Sequence, residues 1–66
     1  MVIHDFTIPE LNYFRENCNF VGLEIRVFEL RSQGLSLDEI ADVLNMSIDG
    51  VKKISRKVNN KIIKVL

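Results

Sequence analysis

The 66-residue sequence has one cysteine, one histidine, one proline, three glycines and no tryptophan. A lone cysteine, Cys18, excludes an internal disulfide and fits a reducing cytoplasm. His4 and Cys18 lie fourteen residues apart and supply neither a metal-ligand set nor a nucleophile–base pair. No glycine-rich loop is available to cradle a phosphate. No apolar run approaches the roughly 18 residues of a membrane span. The stretch MVIHDFTIPE lacks the basic start and long apolar run of a signal peptide, so none is expected. Val and Ile do not alternate with polar residues, so strands are poorly supported. Asp38, Glu39 and Asp42 read as a solvated acidic face. An enzyme, a cofactor and a metal are therefore not expected, and His4 is expected on the surface of a mobile N-terminus.

What is present is apolar and charged in near-ordinary amounts, 47% and 27%. A chain of this length buries only about 60% of its unfolded surface, so a single, marginally stable domain is expected over 1–66. Its net charge of zero hides an asymmetry. Residues 1–45 hold three basic and eight acidic side chains, whereas residues 46–66 hold six basic and one acidic. Such polarity points to a polyanionic partner for the basic segment. The alternative is a solvated face balanced internally by the acidic part.

Helix punctuation is frequent. Thr7-Ile8-Pro9-Glu10 and Ser36-Leu37-Asp38-Glu39 have the form of capping boxes. They predict helices at about 8–17, with Leu11, Phe14 and Cys18 inward, and from 37, with Leu37, Ile40, Ala41 and Leu44 inward. A helix at about 22–33 is expected to face Leu23, Val27, Phe28 and Leu30 inward and to end at Gly34. Asn45 suits a left-handed turn. Ser47 caps a fourth helix at about 48–64, with Asp49 in its first turn. In that helix Val51, Ile54, Val58, Ile62 and Val65 form an apolar stripe of helical period, with Asp49, Lys52, Lys53, Arg56, Lys57 and Asn60 opposite. The aromatic residues Phe6, Tyr13, Phe14, Phe20 and Phe28 read as core and staple residues. Ile63 falls on the polar side, and "KIIKVL" holds more apolar surface than one helix face can bury.

Two short helices joined by a three- to four-residue turn, the second basic and exposed, describe a helix-turn-helix. Small Ala41, apolar Ile40 and Leu44, the turn at Asn45, an inward Met46, and docking through Val51 and Ile54 all keep its register. The fold expected is all-α: a four-helix domain, with a three-helix helix-turn-helix core over about 20–62 and an extra N-terminal helix.

The stretch FELRSQGLSLDEIADVLNMSIDGVKKISRKVNNKI resembles the DNA-binding domain of LuxR-type regulators, through Gly34, Glu39-Ile40-Ala41, Ser47 and Val51-Lys52. It is equally similar to region 4 of sigma factors, and the motif does not separate the two. The resemblance implies a small bacterial or phage transcriptional regulator in the cytoplasm, binding double-stranded DNA. It implies base or phosphate contacts from Lys52, Lys53 and Arg56, with Asp49 and Lys57 as further candidates. Ser47 and the Ser36 end of the third helix offer backbone N–H groups to phosphate, and Lys57, Lys61 and Lys64 suit phosphates. The departures are the extra helix at 8–17, Val21-Gly22 in place of Thr-Pro, and Gly50 at a position that is usually polar. No further helix is expected after the fourth. A homodimer through the C-terminal segment or the N-terminal helix would cover the excess apolar surface. The alternatives are a sigma-like module that also contacts RNA polymerase, and a protein-interaction module with an incidental basic face.

Overall fold

Each helix of the chain begins and ends where a particular side chain or backbone conformation requires it. The computed structural model describes residues 3–66, with His4 in its backbone only. It consists of a single 3₁₀ turn at Ile3–Asp5, then α1 (Ile8–Asn17), α2 (Leu23–Ser32), α3 (Leu37–Leu44) and α4 (Ile48–Val65). No strand occurs among the described residues. No described helix is long and apolar enough to cross a membrane.

Both expected capping boxes are formed. Thr7 Oγ1 accepts from the Glu10 N–H at 3.4 Å, and the Glu10 carboxylate accepts from the Thr7 N–H at 2.8 Å. Ser36 and Glu39 repeat the exchange at 3.2 and 3.0 Å. Ser47 Oγ accepts from the Gly50 N–H at 3.1 Å and starts α4. Each such cap stabilises its helix by about 1 kcal/mol. α2 has no side-chain cap. It starts after Gly22 at φ 54°, and the Glu24 carboxylate takes the Val21 N–H instead. The left-handed positions Gly34 (φ 91°) and Asn45 (φ 54°) stop α2 and α3. After Asn45 the Met46 N–H donates to the Ala41 carbonyl at 2.9 Å, which reverses the chain within the three residues between α3 and α4.

α4 is the centre of the packing, against α2 and α3 and, toward its C-terminal end, α1. Val51, Val58 and Ile62 from α4 meet Val27 and Phe28 from α2 and Ile40 from α3, all without solvent exposure. Burying one such side chain contributes roughly 1.5–3 kcal/mol. Leu11, Phe14 and Cys18 bring α1 into the same core. Phe6 meets Phe14 edge-on at 4.9 Å between ring centroids, and Phe20 lies over Phe28 at 4.7 Å.

Two expectations are corrected. The N-terminal segment is not a mobile surface arm from Ile3 onward: Ile3 is 1% exposed and belongs to the core, and its turn packs on α2. Ile3 and Phe6 are three residues apart, so one tight turn aims both at the core. The expectation for the His4 side chain lies outside the described residues, as do Met1 and Val2. Leu23, expected inward, is 46% exposed. In the first turn of α2 it is Ile25 that packs against the core, while Glu24 pairs with Lys61 of α4.

Ile62→Ala is expected to lower unfolding free energy by about 2–5 kcal/mol, and Leu23→Ala to change it by less than about 0.5 kcal/mol. Urea unfolding measures both. A Leu23 loss matching that of Ile62 contradicts the packing described.

Candidate nucleic-acid interface

One helix supplies the whole candidate interface, and the burial of its apolar stripe sets which residues face out. Ile54 and Val65 complete the stripe as half-buried residues against the core. On the other side Asp49, Lys52, Lys53, Arg56, Lys57, Asn60 and Lys64 are exposed. Ser47, also exposed, stands at the helix start. The six expected site residues, Ser47, Asp49, Lys52, Lys53, Arg56 and Lys57, therefore share one solvent-facing surface. It is about 15 Å long at the α-helical rise.

The acidic residues of the first segment are largely committed elsewhere. Glu29 holds Arg15 through two bonds of 2.6 Å each, with the guanidinium 5.6 Å from the Phe28 ring centroid. Glu10 and Glu39 close the capping boxes. Glu24 pairs with Lys61. Of the six cations on α4, Lys61 alone forms an ion pair among the described residues. Lys57 is close enough to Glu24 to help lower its pKa, but makes no ion pair with it. Direct ion pairing among the described residues thus accounts for one cation of six.

Lys61 is a correction. Expected at phosphate, it donates to the Asn19 carbonyl at 3.0 Å and to Glu24. Lys61 precedes Ile62 at the border of the buried stripe, so its ammonium reaches the α1–α2 connection rather than the outer face. At the Ser36 end of α3 the Glu39 carboxylate takes the Ser36 N–H. Ser47 has no such competitor, since glycine occupies the third position of α4.

Three features were not read from the sequence. Ile48, the first residue of α4, is 42% exposed beside Asp49. Ser55 is buried within the apolar stripe, and its small volume lets the helix approach closely. Gly50 sits under Met46: a Cβ there would lie 3.3 Å from both Met46 Cε and Ser47 Oγ. Gly50 thus leaves room for Met46 to cover the start of α4. Cys18 is buried as expected, and burial pushes its thiol pKa up while the charge of Lys61 pulls it down more weakly.

The chain matches no family model, no curated protein and no solved structure. The interface is therefore characterised by its own residues.

Four carboxylates have a folded pKa below the ordinary 4.5. Glu24 is lowered chiefly by Lys61, Glu29 by Arg15, and Glu10 and Glu39 by the backbone N–H groups of Thr7 and Ser36. A lowered folded pKa contributes stability that is fully present above the unfolded value and lost as pH falls through the folded one. The thermal midpoint is therefore expected to hold steady down to about pH 5 and to drop below about pH 4.5. Glu24→Gln should reduce that drop. A midpoint that rises on acidification contradicts these assignments.

Proposed function

We propose that this protein is a sequence-reading DNA-binding protein of the helix-turn-helix kind, a binding protein acting in cytoplasmic transcription regulation rather than an enzyme. In this reading α3 supports, Asn45-Met46-Ser47 turns, and α4 enters the major groove, which is about 12 Å wide. One observation carries the reading: on the side away from buried Val51, Val58 and Ile62, α4 presents five cations that form no ion pair among the described residues. The resemblance to LuxR-type domains and to sigma region 4 supports it, and the three-residue connection between α3 and α4 suits it.

The roles follow from reach and chemistry. Lys52 and Lys53, near the N-terminal end, meet base edges. Arg56 offers the planar fork that matches guanine O6 and N7. Lys57 and Lys64 meet phosphates, and Ser47 fixes the helix end that approaches the backbone. A contact to RNA polymerase, as the sigma likeness implies, would use surfaces away from α4.

A second copy of the chain is the partner proposed for the other end of α4. Ile63 is 58% exposed there, beside exposed Leu66. Tyr13 of α1, also exposed, donates to the Val65 carbonyl at 3.5 Å. Sedimentation should show a dimer at tens of micromolar; a monomer with and without DNA removes this part of the proposal.

Fluorescence anisotropy with a labelled duplex tests DNA binding itself. Neutralising two phosphates, through Lys57 and Lys64, predicts an affinity loss of about tenfold between about 50 and 200 mM salt. Replacing Lys52, Lys53 and Arg56 together by Ala should abolish binding with little change in thermal midpoint. No binding at low salt contradicts the proposal.

A further inference from the structure

The outer face of α4 includes two side chains that phosphate binding does not explain. Ile48 is an exposed isoleucine at the first position of the helix. Met46 and Val51 occupy the two positions where an apolar pair staples a helix start, and both pack in the core, so Ile48 is not needed for the staple. At 100° per residue Ile48 lies on the same flank as Lys52. Asp49 is the one acidic side chain in residues 46–66. Lys52 and Lys53 follow it at three and four residues, the spacings at which helical ion pairs form. Yet among the described residues no basic nitrogen is within ion-pair distance of Asp49. A free carboxylate on a phosphate-binding face weakens binding unless it meets a hydrogen-bond donor.

We infer, resting on the DNA reading above, that Ile48 and Asp49 are specificity residues: Ile48 packs on the 5-methyl of a thymine, and Asp49 accepts from the N4 amino group of a cytosine in a neighbouring base pair. Base chemistry in the major groove selects these two. Thymine alone presents a methyl group there, and an apolar side chain gains by covering it. Guanine presents only acceptors at N7 and O6, which repel a carboxylate, whereas cytosine presents a donor with no acceptor of its own beside it. The N-terminal turn of a recognition helix is the part that reaches base edges, and both residues are in that turn. Asp49 therefore lowers affinity for DNA in general and restores it where cytosine is present, which is discrimination by penalty.

The test is selection of duplexes from a random pool with the full chain and with its Ile48→Ala and Asp49→Ala variants, followed by thymine-to-uracil replacement in the selected duplex. Uracil lacks only the methyl. One such replacement should weaken the native protein about fourfold, the effect of one methyl-sized apolar contact, and leave Ile48→Ala unaffected. Asp49→Ala should lose a cytosine preference of about tenfold and bind random duplex more tightly. Both positions are exposed, so circular dichroism should show unchanged folding. Replacements that act equally on the native protein and on Ile48→Ala overturn the thymine contact. A cytosine preference that survives Asp49→Ala overturns the other. Equal binding to random and selected duplexes overturns the inference and leaves DNA binding standing, whereas no binding to any duplex at low salt overturns both.

Discussion

Burial of a single stripe on α4 fixes the rest of the molecule. Val51, Val58 and Ile62 have no exposure, and together they set the rotation of the helix about its axis. A shift of one residue turns the helix by about 100° and drives Lys52 toward Phe28 and Ile40. An unpaired ammonium in such a core is prohibitively costly, so the helix has one acceptable orientation. The outward direction of Lys52, Lys53, Arg56 and Lys57 is thus a consequence of core packing. A rigid placement of this kind is what a reading surface requires, because the backbone of a firmly docked helix loses little further freedom on binding.

The zero net charge combines two separate uses of charge. Glu10 and Glu39 cap the starts of α1 and α3, while Glu24 and Glu29 pair with Lys61 and Arg15. Exposed pairs of this sort contribute at most about 1 kcal/mol each, so they orient connections more than they stabilise the fold. The cations of α4, Lys61 excepted, stay available to an external partner. Because the whole molecule is neutral, attraction to a polyanion is confined to the α4 face, and screening over about 10 Å at 0.1 M salt keeps the acidic side from cancelling it. For a polyanionic partner, close contact rather than long-range steering would then determine binding.

The helices were legible because their signals are local. Thr7, Ser36 and Ser47 supply caps within four residues, Gly34 and Asn45 supply left-handed stops, and the α4 stripe repeats five times at helical period. The candidate site was legible for the same reason: its residues are the complement of that stripe on one helix. What escaped the sequence depends on distant partners. Lys61 is tied to Glu24, 37 residues earlier. Ile3 enters the core through a turn too short to have a period. The contact of Gly50 escaped because it depends on where Met46 lies after the turn.

Whether the solvent face of α4 is a nucleic-acid surface is decided by an amide chemical-shift titration with a short duplex at low salt. Shifts should be concentrated in residues 47–57 and spread to Lys64, with the amides of α1 and the first turns of α2 unchanged. Shifts centred on α1 or α2, or none anywhere, would contradict that reading.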